Sequence, residues 1–148
     1  MDNIHRTRAM FNDMLNLPRG KYVPVGVAAG GSISFARGAF AVSYDRDLLP
    51  IPGCGVYDGL PDMDLILDAE RRKGWQAGTE IALGDLYLKD TPFGLCPRGI
   101  LKNAIKNWVD MGYNPMIGIE TEAYVFQRDE DGVWRPYDTP GAFVYGTG

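Results

Sequence analysis

Asn114-Pro-Met-Ile-Gly-Ile-Glu-Thr-Glu-Ala-Tyr-Val-Phe126 reads as one extended strand whose side chains alternate between two faces. Ile117, Ile119, Thr121, Ala123 and Val125 share one face, and Gly118, Glu120, Glu122, Tyr124 and Phe126 share the other. Two glutamates thus project from one side of an otherwise apolar segment, about 6–7 Å apart along it. Carboxylates are costly there unless they are solvated, paired or bound to cations. Three readings stay open on these residues. Glu120 and Glu122 lie on the water-facing half of an antiparallel sheet; or they are a general acid and base, as in glycoside hydrolysis, although that role usually draws carboxylates from facing elements; or they are a hard-cation site, two parallel carboxylates holding Mg²⁺ or Mn²⁺. The same-face E-x-E pattern fits the third best, but alone it is a weak motif. His5 is too isolated to complete a zinc site.

Immediately upstream, Ile100, Leu101, Ala104, Ile105, Trp108 and Val109 recur with helical period and make one apolar stripe. Pro97 suits the first turn of that helix and Gly112 a left-handed stop. The face carrying Ile117 to Val125 is suited to pack under it, with Trp108 in the core. Arg98, Lys102 and Lys106 follow at four-residue spacing on another side, which reads as a solvated face.

Residues 1–95 read as mostly strands and turns. Residues 8–13 and 21–27 form a candidate hairpin across Asn16-Leu-Pro-Arg-Gly20, with Pro24 restricting the second strand to an edge. Residues 28–34 read as a flexible link, 35–43 as a short helix or irregular chain, and 48–61 as an ordered loop rich in Pro and Gly. Residues 64–67 and 79–88 supply two further strands. Near the other end, Asp131-Gly132 marks a hairpin turn before Trp134.

Composition narrows the class. The 148 residues carry 15 Lys plus Arg against 19 Asp plus Glu, a formal net charge of -4, with 45% hydrophobic and 23% charged residues. This is the balance of a soluble globular chain, with no electrostatic case for nucleic acid or an anionic membrane. With 19 Gly and 10 Pro the chain is turn-rich but not disordered. No apolar run approaches the roughly 18 residues of a spanning helix, and the N-terminus does not read as a signal peptide, so the expected location is cytoplasmic. Cys54 and Cys96 form neither a disulfide scaffold nor a metal-spacing motif. Trp75, Trp108 and Trp134 are too scattered for a sugar-binding platform, which leaves a glycosidase a distant third.

Four pieces in order carry a resemblance: Asp62-Met-Asp-Leu-Ile-Leu-Asp68, Gly84-Asp-Leu-Tyr-Leu88, Cys96-Pro-Arg-Gly-Ile-Leu-Lys102 and Gly118-Ile-Glu-Thr-Glu-Ala-Tyr-Val-Phe126. Their succession resembles the glutamine synthetase family, and Leu17-Pro-Arg-Gly-Lys-Tyr-Val-Pro24 is similar to the hairpin of that family's N-terminal β-grasp module. The resemblance implies an α+β fold: a β-grasp-like module over residues 1–95, then the first helix and first strand of a catalytic domain over residues 96–148. It also implies that the chain is an N-terminal portion, inactive alone, and the Gly-rich ending at residues 140–148 fits a truncation.

The activity implied is ATP-dependent ligation of glutamate to ammonia or an amine through a γ-glutamyl phosphate, with Mg²⁺ or Mn²⁺ as cofactor. Glu120 and Glu122 match the family's G-x-E-x-E pair, whose two carboxylates ligate different metal ions. No catalytic or nucleotide-binding residue can be placed on this chain from its motifs. The implied partners are glutamate, ammonia or an amine, ATP, and, at full length, further copies in a double ring. Residues 40–45 lack the family's F-D-G-S-S pattern, which favours an amine over ammonia; Asp45 is a candidate substitute and a solvated loop aspartate the plainer one. Asp62 and Asp68 match an acidic loop near the subunit boundary, with turn capping the alternative for each. Ala123 stands where the family often has an aromatic residue. The rival from another class is a non-catalytic β-grasp interaction module that binds or assembles with ligase subunits.

Overall fold

Alternation along Arg6–Asn12 (β1) buries Thr7, Ala9 and Phe11 and leaves the intervening side chains on the opposite face. The computed structural model describes residues 3–137, and the chain divides after Pro115 into two units. In the first unit β1 is followed by Pro18–Pro24 (β2), a short helix Val25–Ala29 (α1), Ser32–Ala36 (β3), Asp62–Gln76 (β4), Thr79–Leu88 (β5), the two-residue strand Thr91–Pro92 (β6) and the helix Pro97–Asp110 (α2). The sheet order is β2-β1-β5-β4-β3, with β6 pairing β5. β1 and β5 run parallel, and the other pairings are antiparallel. Two hairpins joined by a central parallel pair make the mixed, β-grasp-like sheet expected, and β2 is at an edge, as Pro24 requires.

The core lies on one face of this sheet. Met63, Leu65 and Leu67 from β4, Ala82 and Leu86 from β5, and Ile33 and Phe35 from β3 join the buried residues of β1. Ala28 of α1 and the loop residues Phe40, Ala41 and Cys54 cover them. Phe11 meets Phe35 edge-on at 5.1 Å and stacks on Phe40 at 5.8 Å, and Phe40 meets Phe93 edge-on at 5.0 Å.

Gly84 shows how tightly β4 and β5 pair. A Cβ built there would fall 2.3 Å from the Ile66 carbonyl oxygen and 2.9 Å from Leu65 Cδ1. The obstructing atom is backbone in a paired strand, so it cannot rotate away. Gly84→Ala is expected to destabilise the unit by about 2–3 kcal/mol, read as a lower urea midpoint.

Three local expectations are corrected. Residues 32–36 are a strand rather than a link and helix: Gly31, at φ +84°, turns the chain into a Ser-Ile-Ser-Phe-Ala alternation that pairs with β4. β4 runs well past residue 67, because pairing with β5 through a register shift overrides the low strand propensity of its charged second half. Helix α2 begins at Pro97 and stops before Gly112 (φ +84°) as read, yet none of its residues is buried. Trp108, expected in the core, is 49% exposed and meets the Tyr113 ring edge-on at 5.6 Å. The physical reason is that α2 meets the sheet through Arg98 and Lys102, which Asp68 and Asp85 receive, and its apolar side chains stay half exposed, Leu101 only lining a cavity against β1 and β5.

In the second unit, Phe126–Arg128 (β7) and Trp134–Pro136 (β8) form an antiparallel hairpin. Gly132 (φ +82°) occupies the predicted turn. Asp129 accepts a hydrogen bond from Val133 N at 2.8 Å and pairs with Arg135, whose guanidinium together with the turn amides holds its carboxyl below the usual range. The expected strand over residues 114–126 is not formed before Phe126. A strand must satisfy its backbone N–H and C=O groups on a neighbour, and among the described residues no ladder pairs with 114–125; only the Val125 carbonyl accepts a backbone bond, from Tyr137 N at 2.8 Å. Ile117 is 74% exposed and Ile119 91%. The Gly-rich ending at 140–148 lies outside the described residues.

Candidate functional site

Glu120 and Glu122 both lie in the irregular segment that opens the second unit, and both are exposed. Neither is engaged in a hydrogen bond or ion pair with any described residue. Two hard, solvated carboxylates spaced by one residue suit an oxygen-seeking cation in donor chemistry. They fall short of a site in number: no group of three or more His, Cys, Asp or Glu that could hold a metal occurs among the described residues. Any complete cation site would draw its further ligands from elsewhere. The alternation that placed the two side chains on one strand face is not available in a segment without strand structure.

The other acidic candidates separate. Asp45 is an exposed residue of the loop after Ala41. Asp62 and Asp68, expected in a loop or as turn caps, are both on β4. Asp62 accepts a hydrogen bond from Ser34 Oγ at 3.0 Å, tying β4 to β3. Asp68 accepts from the Glu70 amide at 3.1 Å where the strand shifts register, and from Arg98 Nη2 at 2.8 Å.

That last contact belongs to a charge cluster that sequence reading missed. Arg98 Nη1 also donates to Asp85 Oδ1 at 2.7 Å, and Lys102 pairs with the other oxygen of Asp85. Burial works against the Arg98 charge, but its hydrogen bonds to Asp68 and Asp85 outweigh that and hold the guanidinium more firmly protonated than in water. The expected solvated face is therefore a docking face for Arg98 and Lys102; only Lys106 stays along the helix, paired with Asp110. The available signal was the four-residue spacing of the cations together with two aspartates on outward positions of β4 and β5. Because α2 buries no side chain, this cluster is what fastens it. Arg98→Gln is expected to cost about 1 kcal/mol, since the pair is partly solvated. Hydrogen exchange should quicken in the amides of α2 while those of β1, β4 and β5 keep their protection; equal loss everywhere would contradict this.

A cavity of about 290 Å³ lies beside this cluster, lined by Met10, Phe11, Leu83, Pro97, Arg98 and Leu101 among others. Its lining is chiefly apolar, and its one cation is already committed to Asp68 and Asp85. Cys96 adjoins it as a buried free thiol; Cys54, also buried and free, has its thiol pushed up by burial. No helix among the described residues is long and apolar enough to cross a membrane.

Comparison with known proteins matches no family model. Relatives are nevertheless clear. The chain is 30% identical over 133 residues to glutamine synthetase of Pyrococcus furiosus, covering 85% of this chain and 26% of that one. It is 31% identical over 134 residues to gamma-glutamylanilide synthase of Acinetobacter sp, covering 80% of this chain and 27% of that one. Among solved structures, the GmaS/ADP complex superposes with a TM-score of 0.57 at 22% identity, over 74% of this chain and 24% of that one, a likeness of fold. The chain spans about a quarter of the length of the curated relatives it matches.

Proposed function

We propose, given that this chain belongs to the glutamine synthetase family, that it supplies the N-terminal portion of an ATP-dependent ligase joining glutamate to ammonia or an amine. The observation that carries this reading is the match to a protein named glutamine synthetase across 85% of the chain. Residues 1–95 would form the module and residues 96–148 open the catalytic domain, in a cytoplasmic enzyme that assembles as a ring of copies. A 148-residue chain spanning a quarter of its relatives is expected to turn over nothing by itself.

The chemistry proposed has two steps. A γ-carboxylate oxygen of glutamate attacks the γ-phosphorus of ATP and ADP leaves, giving γ-glutamyl phosphate. The nitrogen lone pair of ammonia or the amine then attacks the acyl carbon, phosphate departs, and the nitrogen gives up a proton. A bound Mg²⁺ or Mn²⁺ would neutralise phosphate charge as it shifts during transfer. Glu120 and Glu122 are the residues here that would each hold such an ion, offering carboxylate oxygens that no described residue engages. The nitrogen donor stays open between two classes. The Acinetobacter relative is named for an anilide and the Pyrococcus relative for glutamine, at near-equal identity. The departure of residues 40–45 from the family's F-D-G-S-S pattern favours an amine.

Hydroxylamine tests the reading, because it captures an activated γ-carboxyl as a hydroxamate. The polypeptide carrying this segment together with the remainder of a ligase should form γ-glutamyl hydroxamate only with glutamate, ATP and a divalent cation all present. Absence of hydroxamate under those conditions, with the protein folded, would overturn it.

A further inference from the structure

The face of the sheet opposite the core carries a cationic cluster that no part of the ligase reading uses. Arg8 of β1 is half-buried, with its guanidinium 4.7 Å from the Trp75 ring of β4 and 5.9 Å from the Tyr22 ring of β2. Arg6, two residues back on the same face, is 5.0 Å from the same Tyr22 ring. Register adds a third cation: Arg8 pairs with Ile81, and Ile81 in turn with Lys73.

Carboxylates do not balance these charges. Glu80, next to Ile81, points to the opposite side, where Thr7 Oγ1 (2.7 Å) and Arg72 engage it. Asp68 and Asp85 receive Arg98. Among the described residues, Arg8 has no hydrogen-bond acceptor and no ion-pair partner, and Arg6 donates only through Nε, to Thr79 Oγ1 at 2.8 Å.

Ring stacking uses the flat faces of a guanidinium and leaves its edge, with the N–H donors, free. A group held this way has already lost the rotamer freedom that anion binding would otherwise cost, so its fork is pre-organised. In a chain of net charge -4, two arginines and a lysine gather on one part of this face, while its aspartates Asp68 and Asp85 are committed to Arg98. Two adjacent guanidiniums match a dianion better than a single carboxylate, and the fork geometry suits phosphate oxygens. Tyr22 and Trp75, 52% and 43% exposed, leave aromatic surface beside the cations for whatever carries the anion. We propose that Arg8, supported by Arg6 and Lys73 and walled by Tyr22 and Trp75, is a receptor for a phosphate group, either inorganic phosphate or a small monoester.

The test uses the 148-residue chain and follows the side-chain Nε–H signals of its arginines by NMR. Inorganic phosphate and phenyl phosphate are titrated separately at ionic strength held constant with potassium chloride. The expected result is a saturable shift of the Arg8 signal, weakened about tenfold or more in Arg8→Gln and less in Arg8→Lys, which keeps the charge but not the fork. Arg6→Gln, at the end of its strand, should weaken binding too, which covers the case that Arg8→Gln perturbs the sheet. Tighter binding of phenyl phosphate would assign a monoester, and equal binding free phosphate. An unsaturable response, one that chloride reproduces, or one that survives both substitutions means an adventitious ion only and overturns the proposal. So does an oligoglutamate that binds more tightly than either phosphate, which would make the surface a dock for an acidic protein segment.

Discussion

Glutamine in place of Glu120 or Glu122 should reduce cation-dependent ligation by more than about a hundredfold in the polypeptide that carries this segment, a loss that changes merely adjacent to a metal site already reach. The substitution keeps size and hydrogen-bonding capacity and removes the charge. Folding should be untouched, because both side chains are exposed and engage no described residue. The form of the defect is as informative as its size. If the carboxylates hold a cation, raising Mg²⁺ or Mn²⁺ should recover part of the rate in each single variant, and the double variant should recover least. A solvated pair with no ligand role would give wild-type turnover at every cation concentration. A merely structural role would lower the thermal midpoint and leave the cation dependence unchanged.

Leu65→Ala should be the most damaging single change to the first unit, costing about 2–5 kcal/mol. Leu65 is 0% exposed in the first part of β4, the part paired on both sides, by β3 and β5. Its neighbours cannot collapse into the void without breaking that pairing. A unit of this size has only about 5–15 kcal/mol of total stability, so the variant should unfold at markedly lower urea with an unchanged slope. Leu101→Ala on α2 makes the contrast. Leu101 is 51% exposed, and the same chemical change there should shift the midpoint by little.

How much of this could be read from the chain differs by element, for identifiable reasons. α2 was legible end to end, because Pro97 and Gly112 punctuate it and the apolar period lies between them. Its orientation was not legible. An amphipathic pattern says which side is apolar, but here contacts to Asp68 and Asp85, strands away in sequence, decide which side meets the sheet. β5 was read to its limits from alternation, whereas the second half of β4 was missed, since its charged run becomes a strand only through pairing with β5. β3 was hidden by the glycines before it and by serines whose partners, Asp62 and Asp64, are visible only once the register is known.

The candidate site divides in the same way. Glu120 and Glu122 were singled out by a short motif, a pattern of residue types that does not depend on the strand expected to display it. The Arg8 platform could not be found, because Trp75 and Tyr22 meet it only across the sheet.

On the proposal above, Glu120 and Glu122 are cation ligands in a ligase of the glutamine synthetase family. Anomalous scattering from Mn²⁺ in crystals of the polypeptide carrying this segment measures that directly. Manganese within coordination distance of a carboxylate oxygen of each glutamate, a different ion at each, is the result predicted. Ordered manganese bound through other residues, with both glutamates in contact only with water, would contradict it.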